Sequence, residues 1–476
     1  MNLTSCLSAR ERIINLVDSN SFVEIGAMIT KRSTDFNLME TEIPGDGVIT
    51  GYGLINGNPV YIYSQDGTAM GGTIGEMHAK KIAYIYDTAL KVGAPVIGII
   101  DSAGFRLQEA TDALHGFGEI YQRKVYASGV IPQISVILGT CGGGLAVLTA
   151  LSDFTFMAKN TGSLFLNSPN SLYQNNTLKL NTMEPAINSE NGKIDFILED
   201  EIEVLQKVKE LITVLPASND DKPSLEETQD DLNRLVPSFT SNVKDIAKGM
   251  KEISDYNYFL EVRESFAKEM VTGFIRLNGM TIGAIGNRLE YENSDGSLTT
   301  YEDTLTTNGC LKAADFVRFC DAFNIPILTF TNVSGYRATT KEEMTLPVAV
   351  AKLTFAFTNA TVPKVNVITC KAYGSAYITM NSKHIGADMV YAIEGATIGM
   401  LDGKSAAKII YDKEPHLIDE KEKEYDILQN GVMSAAKRGY VDAIIDGQGV
   451  RKHLIYAFEM LFTKRESRPR KKHGTI

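Results

Sequence analysis

Four residues that bend or break a chain recur in one register. Pro95 with Pro326, Gly104 with Gly335, Pro132 with Pro363 and Gly143 with Gly374 are each 231 residues apart. Two prolines and two glycines at one offset mark an internal duplication, and a duplication decides the architecture before any local reading does. The stretches around the anchors share a grammar of proline, apolar run and glycine. ALKVGAPVIGIIDSAG (89–104) answers to CDAFNIPILTFTNVSG (320–335), and GVIPQISVILGTCGGG (129–144) to ATVPKVNVITCKAYGS (360–375). Further upstream, TGYGLINGNPVYIY begins at Thr50 and TGFIRLNGMTIGAI at Thr272, an offset of 222 that insertions reconcile with the first.

Each repeat has a physical reading. Ile82, Ile85, Tyr86, Ala89 and Gly93 follow helical spacing, as do Ala313, Phe316, Val317, Cys320 and Phe323. Gly93 suits a left-handed helix end, and Pro95 or Pro326 follows because proline cannot continue the helix. The short β-branched runs VIGII and ILTFT fit strands buried on both faces. Strands alternating with helices predict an α/β fold with mostly parallel sheets, built as two tandem domains. At 476 residues the chain has room for two. The expected boundaries are 1–240 and 241–476. Residues 169–260, rich in Asn, Asp, Glu, Lys and Ser, break the repeat and are expected to connect the halves.

The segment GTCGGGLAVLTALSD (139–153) puts three glycines between a strand and an Ala/Leu-rich helix, and KAYGSAYITMNSKH (371–384) is its counterpart. Backbone N–H groups at such a turn, with no Cβ in the way, can meet an oxyanion. A single turn of this kind more often serves tight packing than catalysis; two at matching positions favour a paired site. No GK[ST] follows, which excludes a P-loop, and no GxGxxG opens the first βα unit. No nucleophile elbow and no carboxylate pair occurs in the turns, so a substrate or cofactor is expected to supply the base.

Composition narrows the classes further. A net charge of −11 disfavours nucleic acid, although the last residues, KRESRPRKKHGTI, form a basic tail read as solvated. Five scattered cysteines without a CxxC pair indicate a reducing compartment. Six histidines in no ligand spacing argue against a catalytic metal. The N-terminus carries charges where a signal peptide needs its apolar core, and no apolar run approaches 18 residues, so a cytoplasmic protein is expected.

The stretches SARERIINLVDSNSFVEIGA, SQDGTAMGGTIGEMHAKKI, KVGAPVIGIIDSAGFRLQEA, FLEVRESFAKEMVTGFIRLNG, ADFVRFCDAFNIPILTFTNVSGY, ATVPKVNVITCKAYGSAYITMNSKHIGADMVYA and the terminal RPRKKHG resemble, in order and over nearly the whole chain, the carboxyltransferase subunits of propionyl-CoA-type carboxylases and their decarboxylase relatives. The resemblance implies two crotonase-like domains and a homohexamer, with each active site between the first domain of one subunit and the second domain of another. It assigns the thioester oxygen to Gly143 and Gly144, and the biotin carbonyl oxygen to Ser375 and Ala376. It places Gly71, Gly72 and Lys80 in an acyl-CoA segment, with Gly104, Phe105 and Arg106 lining that pocket. Gly335, Tyr336, Gly374 and Ile378 fall on the biotin side. Two readings of Arg106 stand side by side: contact with CoA or a carboxylate, or capping of its own loop. Lys80 is either a CoA contact or a solvated surface lysine.

The implied reaction moves a carboxyl group between carboxybiotin and the α-carbon of a short acyl-CoA, in either direction. With no AMKM biotinylation sequence and no ATP-binding carboxylase domain, biotin is expected on a separate biotin carboxyl carrier protein, with a biotin carboxylase or a membrane decarboxylase subunit as further partner. The chain departs from the usual pattern at NVSGY for DVPGF, at Ser375 for glycine, at Ile378 for aspartate and at LPVAVAKL for an Arg-His-Gly-Ala motif; NSPNSLYQNN (167–176) also lacks the usual Thr-x-Glu-Glu-Leu-Gly-Gly stretch after it. Two other readings remain: a biotin-independent acyl-CoA lyase, hydratase or isomerase, and a non-catalytic paralogue serving a carboxylase complex.

Overall fold

The computed structural model describes residues 6–32, 43–173, 181–222, 225–293, 295–469 and 471. The end of the basic tail and the end of the 167–176 segment lie outside them. The chain divides into two compact units, Met1–Lys222 and Pro223–Ile476.

The first unit is built on a sheet whose strands run in the order Val23–Ile25, Val48–Ile55, Asn58–Gln65, Val96–Ser102, Gln133–Gly142, Phe154–Ala158 and Phe196–Leu198, with Ser163–Phe165 beside the end of Gln133–Gly142. The second unit repeats that order with Leu260–Glu261, Met270–Leu277, Met280–Asn287, Ile327–Val333, Lys364–Tyr373, Met389–Ile393 and Ala443–Ile445, and Thr397–Gly399 takes the side position. The strands Val96–Ser102 and Ile327–Val333 begin and end 231 residues apart, as do Gln133–Gly142 and Lys364–Tyr373. Even the register shift recurs, between Ile100 and Ser102 in one sheet and Thr331 and Val333 in the other.

Local chemistry explains the match. In each unit an Asn-Gly pair turns an antiparallel hairpin, with Asn56 and Gly57 at φ +48° and +78° and Asn278 and Gly279 at +50° and +74°. Both central residues of a type I′ turn need positive φ, which Asn and Gly accept at least cost. Both turns are closed alike: Asp18 accepts from the two amides of the first, and Asp255 from those of the second. From the second hairpin strand onward the pairing is parallel, and helices such as Glu76–Val92 and Thr307–Ala322 make the crossovers. The first ends at Gly93, at φ +71°. Ile82, Ile85, Tyr86 and Ala89 are buried on it, and Ala313, Phe316, Val317 and Cys320 on its counterpart.

Residues 169–260 do more than connect. Phe196–Leu198 is the last strand of the first sheet, and the helix Glu201–Val214 buries Val204, Leu205, Val208, Leu211 and Ile212. The helical stretch IEVLQKVKELITVL thus packs into the first unit, where the charge-rich composition of the segment predicts a connection. Val236 and Phe239, on the N-terminal side of the boundary expected at 240, lie in the core of the second unit.

Candidate functional site

In the first unit the strand Gln133–Gly142 runs into Gly143, at φ +61° and ψ −127°, and the helix Gly144–Ala150 follows. A side chain at Gly143 meets no neighbour but is strained at that φ, so the glycine serves backbone direction and not space. Its N–H donates to Phe165 O at 3.0 Å. The expected role of the Gly143 N–H as an oxyanion donor is therefore corrected: it is engaged with the neighbouring strand. The N–H groups of Gly144 and Leu145 head the helix, where the first turn has no intrahelical acceptor.

Around this turn the expected residues converge. Gly71 and Gly72 sit in a turn at φ +64° and +63°, and the Ala103 N–H donates to Gly71 O at 2.9 Å. A Cβ on Gly72 would lie 2.2 Å from Asp101 O, so only glycine permits the approach. Gly104, at φ +106°, lies against Gly142 O. Phe105 packs on Phe117 with ring centroids 4.1 Å apart and planes tilted by 44°, and its ring comes within 3.3 Å of where a Cβ on Gly144 would be. Tyr121, which the sequence did not single out, donates from its hydroxyl to Gly144 O at 2.6 Å.

Two expected binding residues are placed elsewhere. Arg106 is fully buried; its guanidinium pairs with Asp46 and Glu109 and donates to Thr73 O. With those partners it caps its own loop, and the reading of Arg106 as a contact for CoA or a carboxylate is corrected. The physical reason is burial: a guanidinium in a dry interior must be matched by charge nearby. Lys80 is half exposed and pairs with Glu76 one helical turn away, so the geometry joins it to no other expected site residue.

In the second unit Gly374, at φ +60°, matches Gly143 in position and angle, and the helix Gly374–Thr379 follows. The register aligns Ser375 with Gly144. Ser375, Gly374 and Ile378 line a cavity of about 430 Å³. Ala376 is next to them in sequence but its side chain is buried. Gly335 and Tyr336 form a short parallel pairing with Thr304 and Leu305, which brings the Tyr336 hydroxyl to Ser375 Oγ at 2.9 Å.

Further lining residues come from the rest of the 371–384 segment and from a stretch, 430–440, that no motif announced. Tyr377, His384, Asn430, Arg438 and Tyr440 line the cavity. His384 packs on Tyr377 and on Tyr440 at ring separations of 5.6 and 4.7 Å. Burial pushes the Tyr377 phenol up to about 12 and lowers the His384 pKa, so both rings are neutral at physiological pH. Tyr377 OH and Asn430 Oδ1 are buried without a hydrogen-bond partner. Among the described residues there is no His/Cys/Asp/Glu group able to hold a metal, and no helix is long and apolar enough to cross a membrane.

The carboxyl transferase domain matches residues 6–476. The chain belongs to the carboxyl transferase family. It is 40% identical over 497 residues to a propionyl-CoA carboxylase beta chain of Roseobacter denitrificans, covering 99% of this chain and 93% of that one. It is 39% identical over 483 residues to methylmalonyl-CoA decarboxylase subunit alpha of Veillonella parvula, with the same coverage. Among solved structures, a transcarboxylase 12S hexamer with hydrolysed methylmalonyl-coenzyme A bound superposes at a TM-score of 0.92, with 35% identity over 98% of this chain and 92% of the other. The α/β fold of two tandem crotonase-like units is thus the family's own, and the paired glycine turns are set in a carboxyltransferase.

Proposed function

We propose that this carboxyltransferase moves a carboxyl group between biotin on a separate carrier protein and the α-carbon of a short acyl-CoA, as the carboxyltransferase component of a carboxylase or decarboxylase. The observation that carries the proposal is the pair of strand–glycine–helix turns, at φ +61° and +60°, in matching register of two sheets.

The chemistry follows from what such turns offer. An acyl-CoA that loses its α-proton puts negative charge on the thioester oxygen, and preorganised backbone N–H groups stabilise that charge without reorganising. In the first unit the Gly144 end of the turn supplies them, with Tyr121 fixing the Gly144 carbonyl and the Phe105–Phe117 pair excluding water. The residues at the second turn fit a biotin ring. Ile378, Ile398 and Met400 give the cavity apolar walls, while unpartnered Tyr377 OH and Asn430 Oδ1 suit a ureido group, which has both donors and an acceptor. Bound there, carboxybiotin supplies a labile carboxyl group. The amides of Ser375 and Ala376 would hold its carbonyl oxygen. Carrier protein, biotin carboxylase or membrane decarboxylase subunit, and homohexameric assembly complete the proposal.

The test is carboxyl transfer by the full-length protein from malonyl- or methylmalonyl-CoA to free biotin, and in reverse across a panel of short acyl-CoAs with carboxybiotin. Acyl-CoA turnover that needs no biotin would replace the proposal with a lyase or hydratase. No turnover with any pair would leave a scaffold protein.

A further inference from the structure

Ser375 carries a hydroxyl into a turn whose counterpart, Gly144, has none. The residues that carry and meet that hydroxyl are held in place. Thr379 Oγ1 donates to Ser375 O at 3.1 Å and stands 3.1 Å from Thr354 Oγ1, on the long helix Thr340–Asn359. Tyr336 is held by its pairing with Leu305, and Ser334 beside it donates to Asp303, which pairs with Lys371 at 2.8 Å. From this frame the Tyr336 hydroxyl donates to Ser375 Oγ.

A serine hydroxyl has one proton to donate and two acceptor sites. Tyr336 fills one acceptor site. Among the described residues that is the only hydrogen bond at Ser375 Oγ, so the serine proton is left for a ligand in the cavity that Ser375 lines. A hydroxyl that accepts one hydrogen bond donates the next more strongly.

We propose that the Ser375 hydroxyl is a further donor, beside the backbone amides, to the oxygen that gains negative charge at the second turn, and that Tyr336 is its positioning residue. The inference rests on the carboxyl-transfer reading.

The experiment uses full-length wild type, Ser375→Ala, Tyr336→Phe and the double variant. Transfer from methylmalonyl-CoA to free biotin is measured, together with calorimetric binding of free biotin. Ser375→Ala lowers kcat about tenfold, the size of one good hydrogen bond, with the acyl-CoA KM unchanged. Tyr336→Phe lowers it less, about threefold. The double variant is no worse than Ser375→Ala, because Tyr336 acts through the serine. Biotin affinity falls severalfold in Ser375→Ala. Unchanged kcat and biotin affinity in Ser375→Ala, or losses that add in the double variant, overturn the inference while leaving carboxyl transfer intact. A wild type that transfers nothing to biotin overturns the functional proposal, and the inference with it.

Discussion

Replacing Arg106 by Met separates a structural arginine from a substrate-binding one. The Arg106, Asp46 and Glu109 side chains are all fully buried. The guanidinium meets Asp46 Oδ1 at 2.5 Å, Glu109 Oε1 at 2.9 Å and Thr73 O at 2.7 Å. Methionine matches much of the volume but leaves two carboxyls and a carbonyl without their donor. Breaking a buried pair from one side costs about 3–5 kcal/mol. For a unit of this size that corresponds to a fall on the order of 10 °C in the melting midpoint. Burial already raises the Asp46 pKa, and Arg106 is the main force opposing that rise. Without the guanidinium, the folded-state Asp46 pKa rises further above its unfolded value near 4. The variant is then least handicapped at low pH, and its deficit grows as the pH rises through that folded value. Calorimetric melting of the full-length protein at pH 5 and pH 8, with the acyl-CoA KM measured well below the variant's midpoint, checks both the size and the sign. A variant that melts like wild type but shows a raised acyl-CoA KM would refute the reasoning and restore Arg106 as a substrate contact.

The glycine turns yield two unlike outcomes. Ser375→Pro removes an amide from the second turn and lowers carboxyl transfer about 10²-fold or more while the protein stays folded and associated, as sedimentation together with turnover would reveal. Gly143→Pro also loses transfer, but it additionally breaks the bond to Phe165 O and forces proline from φ +61°, so its urea midpoint drops as well. Tyr121→Phe frees Gly144 O from its hydroxyl partner; kcat falls with little change in midpoint, and equal kcat would remove Tyr121 from the site. His78 lies between Gln65 Nε2 and Asp46 O, and burial, aided by the positive Arg106, lowers its pKa to about 3. The unfolded histidine protonates near pH 6.5, so the stability tied to neutral His78 is complete above that pH and is lost as pH falls from 6.5 toward 3. His78→Gln therefore flattens the acid limb of the unfolding free energy, read from urea titrations at each pH, by about 1.4 kcal/mol per pH unit; an unchanged slope would contradict the burial.

Much of the architecture lies in short-range chemistry, and for that reason it was legible. Proline and glycine act within a few residues of themselves, so the anchors at one offset determined two units, the ends of their central strands and the two turns. Asn56-Gly57 and Asn278-Gly279 set the hairpins in the same local way. Apolar periodicity gave the buried faces of Glu76–Val92 and Thr307–Ala322, and marked IEVLQKVKELITVL as helical where Glu201–Val214 forms.

What the tertiary structure alone decided concerns groups that meet across long separations. Nothing near Arg106 in the chain except Glu109 reveals its partners; Asp46 is 60 residues away. Tyr121 and Gly144, or Tyr336 and Ser375, are joined by folding and not by spacing. The cavity wall from Asn430 to Tyr440 has no motif because a pocket needs complementary shape and partners, and sequence order encodes neither. Whether a backbone amide is spent or available is likewise a property of the sheet: the Gly143 N–H donates to Phe165 O of the adjacent strand Ser163–Phe165. The duplication thus fixed where two turns stand, and packing settled which atoms in them remain to do chemistry.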